Sequence, residues 1–307
     1  MRDTFVKTLI DLAKSDSNIE LITGDMGFGV LKPFWEALPN QFTNAGIAEQ
    51  NMTGIAVGMA LEGKTVFNYS ICNFPTLRCL EQIRNDCTYH NANVKIVSVG
   101  GGFEYGPLGM SHHTTEDIAV MRSLPNMIVC APGDPTETKL ITELITNHKG
   151  TCYLRLGRGN NKTFHNNLPK LKLGEAIPLI EVSDNTKVAV FSTGAILDEA
   201  FDATEDLNNK GIKTALYSFP TVKPIDKKTI LHVASKVDLI VSLEEHNVIG
   251  GFGSSVAEVL AENRNKACLK IMGIRDTYTN VCGSQKYLRH LFGIDAESIV
   301  KEVVGRI

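Results

Sequence analysis

Hydrophobic and polar positions along the chain alternate between two periods. Short β-rich runs fall at Ile19–Thr23, Thr65–Tyr69, Val94–Val99, Met127–Ala131 and Cys152–Leu156. A run such as Val94-Lys95-Ile96-Val97-Ser98-Val99 suits a strand buried on both faces. Between these runs, apolar residues recur at helical spacing over Gln50–Glu62, Pro75–His90, Glu116–Leu124 and Pro135–His148. Strands separated by helices predict parallel βαβ units in a doubly wound sheet. The rhythm breaks over about residues 159–175, where Gly159-Asn160-Asn161-Lys162 and Asn166-Asn167-Leu168-Pro169 are polar and turn-rich, as in a domain linker. A second series follows. Its strands are predicted at Val188–Ser192, Thr214–Ser218, Leu239–Leu243 and Leu269–Gly273, and its helices at Asp198–Lys210, Asp226–Ser235, Ser254–Asn263 and Ala296–Val304. The expectation is an α/β protein of two doubly wound domains, residues 1–165 and 180–307.

Composition narrows the classes. A chain of 307 residues, 43% hydrophobic and 21% charged, is globular and long enough for two cores. A net charge of −3 without a basic block argues against a nucleic-acid partner. No apolar run reaches the ~18–20 residues of a membrane span. Val6, Leu9, Ile10, Leu12 and Ala13 form a helical pattern broken by Asp3, Lys7, Asp11 and Lys14, unlike a signal peptide. The seven cysteines form no C-x-x-C pair. They read as reduced thiols, mostly small core residues, in a cytoplasmic protein.

Several segments carry candidate chemistry. Gly100-Gly101-Gly102 follows a strand and is either a flexible turn or a loop over a site; it lacks the Gly-Lys-Ser/Thr ending of a P-loop. Gly250-Gly251-Phe252-Gly253-Ser254 precedes a helix, either as an anion site or as a tight turn with a serine cap. Glu49 opens an apolar helix containing Met52, Ile55, Ala56, Met59 and Ala60. It is either a complement to the helix dipole or a carboxyl whose apolar surroundings raise its pKa into a proton-exchanging range. His112 and His113 are adjacent in a polar segment, so both cannot point into a core. Their spacing does not suit two metal ligands on one helix face, which leaves proton transfer, substrate binding or a surface pair. Arg155 and Arg158 end a predicted strand, where α/β sheets bind ligands and a guanidinium suits phosphate or sulfonate.

In this order the pieces resemble the C-terminal portion of transketolases and of 1-deoxyxylulose-5-phosphate synthases, over essentially the whole chain. The match is nearest to split transketolases, whose second subunit carries only a pyrimidine-binding domain and a C-terminal domain. The resemblance rests on Gly24-Asp25, Gly46-Ile47-Ala48-Glu49-Gln50, Leu80-Glu81-Gln82-Ile83-Arg84-Asn85, and His112 with Glu116 through Pro125-Asn126 and Ala131-Pro132. In the second half it rests on Leu243-Glu244-Glu245-His246 and Gly250-Gly251-Phe252-Gly253-Ser254.

That resemblance implies thiamine diphosphate chemistry. Glu49 would share a proton with the pyrimidine ring nitrogen and favour the form that strips the thiazolium C2 proton. Asp25, Ile71 and Phe74 would join Glu49 around the cofactor. His112, with His113, would bind substrate oxygens and assist proton transfer, and Arg158 would sit near a distal anion. No metal ligand is assigned to this chain. The family's diphosphate and Mg²⁺ site, with its Gly-Asp-Gly start, has no counterpart in the sequence. The resemblance therefore implies an N-terminal partner subunit that holds the diphosphate and Mg²⁺, in a two-plus-two heterotetramer.

The sequence also departs from the family. Leu108 stands where an Asp normally contacts a sugar hydroxyl, and Ile71 where a stacking Phe is usual. Gly100–Gly102 lacks a histidine that many transketolases place near the substrate phosphate. These changes point to an unusual sugar, such as a deoxy, branched, sulfonated or nucleotide-linked one. The alternatives are a β subunit of a 2-oxo acid dehydrogenase, a deoxyxylulose-phosphate-synthase-like enzyme, or a non-catalytic scaffold subunit.

Overall fold

The computed structural model describes residues 1–159, 162–165 and 170–307; of the predicted linker, 160–161 and 166–169 lie outside them. The first half supplies strands β1 (Ile19–Thr23), β2 (Phe42–Asn44), β3 (Thr65–Ile71), β4 (Val94–Val99), β5 (Ile128–Cys130) and β6 (Cys152–Leu156). The second supplies β7 (Ile177–Ile180), β8 (Val188–Ser192), β9 (Thr214–Ser218), β10 (Thr221–Lys223), β11 (Leu239–Asn247) and β12 (Cys268–Ile274). One sheet runs β10-β5-β6-β4-β3-β1-β2 and the other β12-β11-β8-β9-β7. Pairing is parallel except at β10 and β7, which lie antiparallel on the sheet margins.

The parallel strands are buried because helices cover both faces. Every residue of β4 is buried. Val94 and Ile96 share a core with Met52 and Ile83, while Val97 and Val99 share the opposite core with Phe5, Leu9 and Ile141. That division follows the two-residue period of a strand. Helices Arg2–Ser15 and Pro135–Asn147 cover one face, and helix Glu49–Leu61 the other.

Three features differ from the sequence reading. The predicted helix Pro75–His90 is instead a 3₁₀ turn (Leu77–Cys79), one α turn (Leu80–Gln82) and a π segment (Ile83–Thr88). Its i→i+5 bonding keeps a helical apolar period while shifting the register, so periodicity alone does not separate it from an α-helix. β11 continues past Leu243 through Glu244-Glu245-His246. Strand β10 comes from the second half of the chain yet completes the first sheet, with Thr221 opposite Cys130. β2 and β10 are each three residues long, too short for a periodic signal.

The topology sets up the site. Parallel strands send their following loops to one edge of the sheet, where α/β proteins bind ligands. Asp25 follows β1, Glu49 follows β2, Phe74 follows β3, His112 follows β4 and Arg158 follows β6. Five loops far apart in sequence therefore meet at one edge.

Candidate active site

Glu49 is the first residue of its helix and is only 5% exposed. Gly24 lets the preceding loop come close: a Cβ there would lie 3.3 Å from the Gly46 carbonyl oxygen and 3.6 Å from Glu49 Cγ. Arg78 Nη1 donates to Glu49 Oε2 at 2.7 Å. The other oxygen, Oε1, accepts no hydrogen bond among the described residues. Asp25 has a left-handed backbone (φ 55°) and an exposed side chain. Asn44 pins it, donating to Asp25 Oδ1 at 3.0 Å and accepting from the Asp25 and Gly46 amides.

The neighbouring wall is aromatic and cationic. The Arg78 guanidinium lies 4.5 Å from the Phe74 ring centroid. Phe74 meets His112 edge-on at 5.5 Å. Ile71 ends β3, half-buried. Glu49, Arg78, Phe74 and His112 thus form a continuous surface. Arg78 and Asn44 are absent from the sequence reading; Arg78 lies inside what looks like an ordinary helix, and only the fold brings it to Glu49.

The paired histidines separate as their adjacency requires. His112 is half-buried, with Nδ1 2.9 Å from Ser111 Oγ, which leaves Nε2 open. His113 turns inward, 1% exposed, with Nε2 3.1 Å from the Gly106 carbonyl oxygen and Nδ1 without a partner among the described residues. Asn73 fixes this loop by donating to the carbonyls of Ser111 and His113.

The two arginines also divide. Arg155 is buried and paired with Asp117 at 2.8 Å, and it donates to the carbonyls of Thr114 and Glu245. Its guanidinium is thereby engaged in a structural ion pair. Arg158 is exposed, with its guanidinium 4.8 Å from the Tyr105 ring centroid. Its amide donates to Glu104, whose carboxyl is pushed up to about 7 by burial and by the nearby Glu245.

The glycine triplet is neither a flexible turn nor a ligand cradle. A Cβ at Gly100 would come within 2.1 Å of Tyr105, one at Gly101 within 2.3 Å of Arg155, and one at Gly102 within 2.6 Å of Glu245. Three close approaches require three glycines. Glu245 accepts from the Phe103 amide at 2.6 Å and from Arg289 Nε at 2.7 Å. The loop under the histidines is thereby locked to the second sheet.

The second glycine cluster has an internal occupant. Glu244 accepts from the amides of Phe252 and Gly253 at the start of helix Phe252–Ala261. The chain's own carboxyl fills the place of an external anion. Ser254 does not cap the helix; its Oγ accepts from the Gly250 amide and donates to the Val248 carbonyl. Asp134, Glu137 and His165 place possible ligand atoms within 4.8 Å of one another. Hydrogen bonds account for this grouping: Asp134 accepts from the Glu137 and Phe164 amides, and His165 meets Glu137 at 2.9 Å.

The family model described as transketolase, pyrimidine binding domain, matches residues 1–163, and that described as transketolase, C-terminal domain, matches residues 179–299. The chain belongs to the transketolase family. It is 38% identical to a putative transketolase C-terminal section of Methanocaldococcus jannaschii, over 99% of this chain and 95% of that one. It is 35% identical to one of the subunits of an apulose-4-phosphate transketolase of Phocaeicola vulgatus, covering 98% and 95%. A 6-deoxy-6-sulfo-D-fructose transketolase subunit of Clostridium sp. (strain MSTE9) is 34% identical, covering 98% and 92%. A solved split gene transketolase, described as an inactive β4 tetramer, superposes with a TM-score of 0.90 at 31% identity, covering 99% and 97%. The two-sheet α/β architecture and the expected family are therefore both found. Membership places the chain among subunits of thiamine-diphosphate-dependent ketol transferases. No described helix is long and apolar enough to cross a membrane.

Proposed function

We propose that the chain is the catalytic C-terminal subunit of a two-component transketolase, active only with a separate subunit that supplies the diphosphate and Mg²⁺ site. The observation that carries this reading is Glu49, a buried carboxyl with one unengaged oxygen on an open sheet edge. The residues present fit the pyrimidine half of thiamine diphosphate. Gly24 lets its loop pack against Glu49, Phe74 and Ile71 offer an apolar wall, and Asp25 closes the loop. They do not provide for the diphosphate, since Gly-Asp-Gly does not occur in the chain. A two-plus-two heterotetramer places each Glu49 against the other kind of subunit.

When bound, the cofactor supplies the electron sink for breaking and making the carbon–carbon bond beside a carbonyl. Glu49 Oε1 would share a proton with the pyrimidine ring nitrogen, while Arg78 fixes the carboxyl through Oε2. His112, oriented by Ser111, presents Nε2 to a substrate oxygen. His113 supports the loop from inside, and Arg158 takes the distal anion. Leu108 offers no hydrogen bond to a sugar hydroxyl, which favours a non-standard sugar. The substrates named for the two bacterial relatives each carry a distal anion, phosphate or sulfonate. Five buried free thiols fit a cytoplasmic setting.

The test is calorimetry of thiamine diphosphate and Mg²⁺ with the chain alone and with its partner subunit. Tight binding only with the partner is expected, and tight binding by the chain alone would refute a divided site. Glu49→Gln in the assembled enzyme should lower ketol transfer at least ~100-fold. Unchanged turnover would favour a scaffold subunit.

A further inference from the structure

Tyr105 has no role in the proposed function so far, yet its ring lies close to both groups that would hold the ends of a substrate. Its ring centroid is 6.1 Å from that of His112, and the Arg158 guanidinium lies 4.8 Å from it. The ring occupies the space beside Gly100: a Cβ there would meet Cε2 at 2.1 Å and Cδ2 at 2.3 Å. Gly100 has φ +86° and follows β4 directly, so the strand end is left bare for the phenol. Glu104, the preceding residue, accepts from the Arg158 amide. Consecutive residues thus hold the backbone and the guanidinium of Arg158.

Arg158 differs from the cations around it. Arg155 pairs with Asp117, Arg289 with Glu245, Arg2 with Asp3, and Lys162 with Asp202. Arg158 has no carboxylate within ion-pair distance among the described residues. An aromatic face restrains a guanidinium without neutralising it or consuming its N–H donors. Those donors stay free for a tetrahedral oxyanion. Arg158 opens onto a cleft of about 550 Å³, lined also by the cations Arg2 and Lys162 and by two engaged carboxyls, Glu104 on the Arg158 amide and Asp198 on Arg289. The Tyr105 hydroxyl has no partner among the described residues, and burial holds it protonated as a donor.

We propose that Tyr105 is a specificity-determining residue that positions Arg158 one phenol ring from His112, selecting sugars with a phosphate or sulfonate at the end remote from the reacting carbonyl. This rests on the ketol-transfer reading for His112. The aromatic plate replaces a carboxylate as the means of aiming the arginine, because a carboxylate there would compete with the substrate anion.

The test compares glyceraldehyde 3-phosphate with glyceraldehyde as acceptors in the assembled two-subunit enzyme. Tyr105→Leu should lower the ratio of their kcat/KM values about tenfold, mainly through KM for the phosphorylated acceptor. Tyr105→Phe should keep the ratio within about threefold, and Arg158→Lys, at an exposed site, should lose part of it. In an Arg158→Ala background, Tyr105→Leu should change the ratio no further. Equal losses for both acceptors, or a loss that persists without Arg158, would overturn the inference. A second readout needs no turnover. Inorganic phosphate and methanesulfonate are titrated into the full chain while the Arg158 Nε–H resonance is followed by NMR. Tyr105→Leu should weaken binding of one or both about tenfold, and the anion affected identifies the class. Unchanged affinity for both would overturn the proposal. A wild-type assembly with no ketol transfer would refute the function proposed above and leave this titration to decide the role of Tyr105.

Discussion

The residues beneath the site are tuned as much as those on its surface. His246 is fully buried, with Nδ1 2.7 Å from the Asn247 carbonyl and Nε2 accepting from the Ala119 amide. Burial lowers its pKa from 6.5 to about 4, so it stays neutral. Glu244, 3.6 Å away, is raised by burial from 4.5 to about 7 despite two amide donors. The signs oppose each other. Between pH 4.5 and 7 the folded Glu244 keeps a proton that the unfolded chain releases, so its contribution to stability falls as pH rises. Between pH 4 and 6.5 the unfolded chain binds a proton that the folded His246 refuses, so that contribution rises with pH. The two offset across the shared window. Glu104, also raised to about 7 by burial, adds a fall of the same sign as that of Glu244, so urea midpoints of the wild type should decline with pH there. Relative to the wild type, Glu244→Gln should remove one falling contribution and His246→Asn the rising one, tilting the profile upward and downward with pH respectively, each by a few kcal/mol. Parallel profiles for all three proteins would refute the pairing. The sequence shows Glu244 and His246 as a motif but not their protonation, which depends on packing against residues more than a hundred positions away.

At the scale of elements, the glycine loop after β4 is the joint between the halves. Gly102 has φ +67°, and a Cβ would lie 2.6 Å from both Cγ and Oε1 of Glu245, itself held by Arg289. Gly102→Ala therefore adds a clash to an unfavourable backbone conformation. Gly211 (φ +82°) has the same sign of φ and nothing within 4 Å of its Cβ position, so it isolates the backbone cost. Gly211→Ala should cost ~1 kcal/mol and Gly102→Ala at least ~2 kcal/mol more, read from urea unfolding. Equal costs would mean that Glu245 yields freely. The strands of this joint are legible in the sequence because buried parallel strands are continuous apolar runs. The joint itself is not. A glycine required by a distant side chain looks the same as one in a flexible turn, and β10 is too short to announce that it crosses to the other sheet. Glu49 and His112 can be named as candidates from the sequence because each sits in a local segment with a family pattern. Arg78 and Tyr105 cannot, since their significance lies in contacts across loops.

For the whole molecule, the proposed division of the site between subunits predicts an apolar rim along the site edge. The loops that carry Asp25, Glu49, Phe74 and His112 also expose Phe28 (57%), Ile47 (80%), Leu77 (40%), Leu108 (55%) and Met110 (42%). Scattered apolar side chains are ordinary on a surface, but these all follow parallel strands of one sheet and so share one edge. An apolar rim around a buried carboxyl is what an interface leaves when its other side is removed. Ile47 is the most informative position, because it is the most exposed of the five and lies two residues before Glu49. Ile47→Asp should leave the melting temperature of the chain within about 2 °C, since little packing is lost. It should weaken assembly with the partner subunit at least ~10-fold, measured by sedimentation velocity, because a charge would be buried without a counterpart. Thiamine diphosphate binding to the mixture should fall in parallel, since neither subunit alone would complete the pocket. Assembly as tight as wild type would mean that this rim faces water in the working enzyme, and the divided site would then have to lie elsewhere on the chain.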